Sequence, residues 1–89
     1  MWFVYILKCA DNTLYTGITT DVGRRLHEHN YTKKGAKYTR SRRPVEIVAT
    51  CVVKSRSSAL RLESKIKSLK RREKIAYLLK EASNELEDY

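Results

Sequence analysis

WFVYILKC, residues 2–9, is followed after only four residues by LYTGI, residues 14–18. Both runs are rich in branched and aromatic residues, which suit a pleated backbone, and the intervening ADNT carries turn chemistry. Two such runs so close in sequence pair with each other, so the chain begins as an antiparallel hairpin. Side chains alternate along a strand, so loop length decides which residues share a face. A two-residue turn at Asp11-Asn12 pairs Ala10 with Thr13 and sends Tyr5 and Tyr15 to opposite faces. One more loop residue, or a bulge, brings both rings to the same side.

The rest of the chain extends this start into a small layered domain. Thr19, Thr20 and Asp21 are good capping residues, and DVGRRLHEHN runs from them as a short helix to Asn30. YTKKGAKYTRSRRP is a basic loop with at most one helical turn, closed by Pro44. VEIVATCVV is a third strand, and its nearly unbroken apolar character predicts a central place in the sheet. Serines at 55, 57 and 58 can cap a further helix with an apolar stripe of Ala59, Leu62, Ile66 and Leu69. A second stripe, Ile75, Leu79, Ala82 and Leu86, points almost the opposite way, so one straight helix cannot bury both against a sheet. A break is expected near residues 70–74. The fold class is α+β: a small three-stranded, mostly antiparallel sheet flanked by helices, order β-β-α-β-α-α, in a single domain over residues 1–89.

Charge narrows the partner. The formal net charge is +9 in 89 residues, and residues 24–43 hold eight Lys/Arg against one acid. Residues 54–80 hold ten Lys/Arg and two acids, whereas the last nine residues hold four acids and no base. A clustered basic surface points to a polyanion, nucleic acid before any other; a basic face kept for solubility is the competing reading. No apolar run reaches the ~20 residues that span a bilayer, and MWFVYILKC is too short for a secretory signal. Cys9 and Cys51 each lie in an apolar run, where buried reduced thiols are expected, which suits the cytoplasm.

Several side chains invite chemistry without proving it. Arg25 and His29 are four apart and share a helix face; a positioned guanidinium suits two phosphate oxygens, although each residue alone reads equally as surface. Glu63 is one of two acids among ten bases and borders the apolar stripe. It can hold Mg²⁺ or pair with Arg61 or Lys67. Tyr5 and Tyr15 can be plain strand packing, since a phenol of pKa ~10 is a poor base unless cations or a metal lower it.

Taken together these residues resemble the GIY-YIG nuclease superfamily. VYI at residues 4–6 is similar to the first half of its signature and YTG at 15–17 to the second, with Val4 where the family name has glycine. TTDVGRRLHEHN matches the helix that carries the family arginine, which falls on Arg25, with His29 one turn later. SSALRLESKIKSL supplies the glutamate, Glu63. GAKYTRSRRPVEIV resembles the small single-domain bacterial branch, similar to the nuclease domain of Slx-type endonucleases. No asparagine follows Glu63 at the usual distance; Asn84 lies far along the last helix.

The resemblance implies a DNA endonuclease of repair or processing, hydrolysing phosphodiester bonds with one divalent metal, Mg²⁺ or Mn²⁺. Tyr5 is then the general base, its phenol lowered by nearby cations and metal, and Tyr15 positions water or phosphate. Arg25 neutralises transition-state charge, His29 bonds a tyrosine hydroxyl or a phosphate oxygen, and Glu63 holds the metal. Gly17 lets the backbone pass close to substrate or to the next helix. Lys33, Lys34, Lys37, Arg40, Arg42 and Arg43 hold the nucleic-acid backbone, and Tyr38 is free to stack on an exposed base. Such contacts predict selection by structure rather than by sequence. The mechanism also needs Tyr5 and Tyr15 on one face, hence the three-residue loop or bulge. A non-catalytic nucleic-acid-binding module on the same fold is the alternative, and a basic domain that binds an acidic protein is a third reading.

Overall fold

The computed structural model describes residues 1–87. Strands β1 (Trp2–Lys8) and β2 (Leu14–Thr19) are followed by helices α1 (Val22–Tyr31) and α2 (Lys37–Arg40), strand β3 (Glu46–Val53) and helices α3 (Arg56–Lys67) and α4 (Arg71–Glu87). The sheet is fully antiparallel, order β2-β1-β3. The expected α+β architecture is present, and α2 is the single helical turn foreseen in the basic loop. The place of β3 is corrected: β1, not β3, is central. Four consecutive residues of β1, Val4 to Leu7, are buried, whereas Glu46 and Thr50 of β3 are exposed. Nearly continuous apolar character does mark the central strand, but β1 has more of it.

The hairpin loop holds three residues. Cys9 N–H donates to the Thr13 carbonyl at 2.9 Å, and Asn12 N–H donates to the Cys9 carbonyl at 2.9 Å. Asn12 takes φ 69°, the left-handed conformation that asparagine tolerates well and that closes a type I turn in such loops. Asp11 braces the turn by accepting from the Thr13 N–H and hydroxyl at 3.1 and 2.6 Å. The register pairs Tyr5 with Gly17 and Leu7 with Tyr15, so Tyr5 and Tyr15 lie on the same face.

The sheet buries both faces. Val4, Ile6 and Cys51 face α3 and α4, where they join Ala59, Ile66 and Leu78. Tyr5, Leu7 and Cys9 face the other way, against Leu26 of α1 and Val45. Residues 68–70 separate α3 from α4, just ahead of the expected break, with no glycine or proline. Polar groups make the turn instead. Lys74 Nζ donates to the Ile66 carbonyl at 2.9 Å and closes the end of α3. Lys70 N–H donates to Glu73 Oε1 at 3.2 Å and starts α4. The α4 stripe is also corrected: Leu78 is fully buried and Leu79 is 50% exposed. Both leucines fit a helical stripe with Ile75 and Ala82, and only the angle at which α4 meets the sheet selects Leu78. The side chain of Leu86 and the acid Asp88 lie outside the described residues. Among the described residues no helix is long and apolar enough to cross a membrane.

Candidate active site

The face of the hairpin opposite α3 and α4 gathers three rings. Tyr5 and Tyr15 have ring centroids 6.4 Å apart, and His29 stands edge-on to both at 5.8 and 5.3 Å. His29 reaches them because α1 starts where β2 ends. Asp21 accepts from Arg24 N–H at 3.0 Å and sets the first turn, and Leu26 then turns the helix onto the sheet. Tyr5 Oη lies 2.8 Å from His29 Nε2. His29 Nδ1 lies 3.0 Å from Thr39 Oγ1 in α2. Tyr5 is 2% exposed, and His29 and Thr39 are fully buried.

Gly17 has a reason different from the one expected. A Cβ there would stand 2.5 Å from Tyr5 Oη and 2.7 Å from its Cζ. The Tyr5 ring, rather than substrate or helix, occupies the space that glycine leaves. Gly35 plays a similar part in the basic loop, where a Cβ would meet Glu28 O and His29 Cα at 2.7 Å each.

The electrostatics depart from the expected lowered phenol. Burial pushes Tyr5 up to about 12, helped by Tyr15 and Glu63 and opposed by the neighbouring Arg25. Desolvation outweighs the cation. Burial also pushes His29 down to about 4, aided by Arg25 and Arg43 and opposed by Glu28. Both rings are therefore neutral at pH 7. Arg25 is held rather than waving: its Nη1 donates to Glu28 Oε1 at 2.9 Å and to the Lys34 carbonyl at 2.8 Å. Among the influences on Tyr5 the charge of Glu63, on α3, is the least. Glu63 is half-buried and pairs with Lys67 Nζ at 3.5 Å. Lys67 lines a shallow cleft with Tyr15, Tyr38 and Lys74 at the β2 edge.

A family profile described as the GIY-YIG catalytic domain matches residues 1–76. The chain belongs to the GIY-YIG family. Among similar proteins, UPF0213 protein DP2720 of Desulfotalea psychrophila is 59% identical over 68 residues, covering 76% of this chain and 62% of that one. UPF0213 protein SAG0778 of Streptococcus agalactiae is 48% identical over 83 residues, covering 93% and 92%. The solution NMR structure of UPF0213 protein BH0048 from Bacillus halodurans is 51% identical, covers 83% of this chain and 79% of that one, and superposes with a TM-score of 0.52. Membership places the chain in a nuclease-like family.

Within this GIY-YIG domain the basic loop is less available than its charge suggested. Arg42 donates to Asp11 Oδ2 at 3.0 Å and to the Tyr38 carbonyl at 2.8 Å, tying the loop to the hairpin tip. Arg43 donates to the His29 carbonyl at 2.6 Å and also to the Thr32 carbonyl, capping α1. Arg40 donates to the Lys33 carbonyl at 2.8 Å but is exposed. Lys33, Lys34 and Lys37 are exposed. Tyr38 is not a free ring: it stacks on Tyr15 at 6.1 Å, and the Arg42 guanidinium lies 3.9 Å from its centroid.

Sequence reasoning passed over four residues of this GIY-YIG site. Glu28 had a visible signal, as the single acid among eight bases. Gly35 had a weaker one, as the only glycine in the loop. Asn30 accepts from Val45 N–H at 2.8 Å and donates to the Val45 carbonyl at 3.0 Å, fastening α1 to the start of β3. Neither it nor Thr39 carries any local mark.

Proposed function

We propose that this GIY-YIG protein is a metal-dependent endonuclease that hydrolyses phosphodiester bonds, in DNA before RNA. It selects nucleic-acid structure rather than sequence and works in DNA repair or processing in the cytoplasm, with the whole chain acting as one nuclease domain. The observation that supports this reading most is the meeting of Tyr5, Tyr15 and His29 on one face, beside Arg25.

Glu63 suits a single divalent ion. Among the described residues no three His, Cys, Asp or Glu side chains gather to hold a metal. One carboxylate, with water and substrate phosphate making up the remainder, is a donor set that Mg²⁺ or Mn²⁺ accepts. When bound, the ion would supply Lewis-acid stabilisation of charge on the scissile phosphate. The protein's own residues do the rest. Tyr5 takes a proton from the attacking water and Tyr15 orients that water or the phosphate. Arg25, preorganised by Glu28, meets the charge that grows on the phosphoryl oxygens. His29 hydrogen-bonds the Tyr5 hydroxyl. Lys33, Lys34 and Lys37, with Arg40, hold the backbone of the strand.

A second reading, a nucleic-acid-binding module without catalysis, draws on the raised Tyr5 phenol and on the Lys67 pairing of Glu63. Incubation with branched, nicked and linear DNA, in Mg²⁺ or EDTA and beside Glu63→Ala, separates the two. Cutting of branched or nicked DNA by the parent in Mg²⁺ alone is the expected result. Binding without cutting selects the module, and absence of binding refutes both readings.

A further inference from the structure

Two arrangements of protons are open to the buried groups behind Tyr5, and the shorter contacts favour one of them. Thr39 Oγ1 lies 2.8 Å from the Ala36 carbonyl oxygen, which can only accept, so the shorter of its two contacts takes the Thr39 hydroxyl proton there. The same Oγ1 lies 3.0 Å from His29 Nδ1 and can now only accept from it, so Nδ1 carries a proton. His29 is neutral at pH 7, which leaves Nε2 bare. Tyr5 Oη, 2.8 Å away, therefore donates to Nε2. This tautomer forgoes the Ala36 N–H to Nδ1 bond, at 3.3 Å the longest of the group, on which the opposite tautomer would rest. With the Thr39 proton on the Ala36 carbonyl, the opposite tautomer would also leave Thr39 Oγ1 facing another acceptor with no proton between them.

We propose that Thr39 is a positioning residue of the hydrolytic site: its hydroxyl holds His29 in the tautomer whose bare Nε2 receives the Tyr5 proton, so that Tyr5 acts as a proton relay. This rests on the endonuclease reading and removes its main difficulty. A standing phenolate is disfavoured at a buried tyrosine pushed up to about 12, but a relay needs none. The oxygen of the attacking water bonds to phosphorus, and one of its protons passes to Tyr5 Oη. The original Tyr5 proton passes to His29 Nε2. The phosphorus–oxygen bond to the leaving group breaks, and that oxygen takes a proton from solvent. His29 later releases its extra proton to solvent, so charge and protons balance. In the free protein Arg25 and Arg43 disfavour an imidazolium; the phosphate charge brought by substrate works the other way. Gly35 lets the segment leading to Thr39 lie directly against α1 at His29, where a Cβ would meet His29 Cα at 2.7 Å.

Nitrogen-resolved NMR of the His29 ring in the full-length parent, Thr39→Val and Thr39→Ser tests this without substrate. The parent is expected to carry its proton on Nδ1, and Thr39→Ser to keep it there. In Thr39→Val the only remaining partner of Nδ1 is the Ala36 N–H, a donor, so the proton moves to Nε2. Cleavage by Thr39→Val should then fall roughly 100-fold through kcat, the lower range for lost acid–base catalysis. Its DNA affinity in EDTA should be unchanged, and Thr39→Ser should cut almost as the parent does. A parent protonated at Nε2 overturns the proposal. So does a valine variant that keeps the Nδ1 proton, or a serine variant as slow as the valine one. If Thr39→Val does not fold, the spectra of the parent and Thr39→Ser decide by the same criterion. A parent with the expected tautomer that cuts no DNA overturns the endonuclease reading and, with it, the relay.

Discussion

Replacing Gly17 by alanine sets a methyl carbon 2.5 Å from Tyr5 Oη and 2.7 Å from Cζ, where ordinary van der Waals separation begins near 3.4 Å. The tip of the ring must retreat by 3.4 minus 2.5, or 0.9 Å. Tyr5 is 2% exposed, so there is little room to move, and a shift of that size disturbs its 2.8 Å hydrogen bond to His29. Overpacking of this kind costs about 1–3 kcal/mol. Leaving a buried ring nitrogen unpartnered costs a further ~1–3 kcal/mol. These overlap, because one displacement causes both, so we expect about 2–4 kcal/mol in total. For a domain of this size each kcal/mol lowers Tm by about 4–8 °C, so Gly17→Ala should melt at least ~8 °C below the parent. The double variant Gly17→Ala with Tyr5→Phe removes the hydroxyl that meets the methyl and should recover part of the loss. Thermal unfolding followed by circular dichroism measures both. If Gly17→Ala melts within about 2 °C of the parent, a shift worth less than ~1 kcal/mol, the Tyr5 ring is not what requires glycine at this position.

Further outcomes are expected. Glu63→Gln removes the charge proposed to hold the metal and should slow cleavage by ~100-fold or more; Tm should move little, since a surface pair with Lys67 is worth ~0–1 kcal/mol, and a variant several degrees less stable that cuts at the parent rate would make Glu63 structural. Replacing Lys33, Lys34 and Lys37 by glutamine should reduce the slope of log affinity against log salt by roughly 2–3, at ~0.9 for each phosphate no longer neutralised, and an unchanged slope would exclude these lysines from the interface. Neutralising Arg42 or Arg43 should instead lower Tm, because both hold backbone carbonyls in place. His29 titrates at about 4 in the folded chain against an ordinary value of 6.5, so between those limits the unfolded state binds more protons. Stability should therefore fall as pH drops from about 6.5 towards 4, and urea denaturation across that range should lose much of this dependence in His29→Gln.

Part of this molecule is written locally. The hairpin follows from two strand-forming runs around ADNT, and its three-residue loop is tied to a requirement that Tyr5 and Tyr15 meet, since strand parity permits only that register. Asp21 and Ser55 start helices where capping chemistry places them, and opposed stripes on either side of residue 70 require a break. The candidate site residues, from Tyr5 through Arg25 to Glu63, are assigned through the resemblance of VYI, YTG and the helices after them to the GIY-YIG pattern, because type and spacing alone leave each with an ordinary structural reading. Tertiary structure decided the rest. Leu78 and Leu79 are indistinguishable by periodicity, and only the docking of α4 buries one and exposes the other. The chemical state of Tyr5 was decided by burial, because the desolvation of a phenol depends on how α1 closes over the sheet, which no neighbour in sequence reports. Arg42 and Arg43 read as free cations until the fold set backbone carbonyls opposite them. Thr39 carries no local mark; it matters because α2 brings its hydroxyl to within 3.0 Å of an imidazole ten residues earlier.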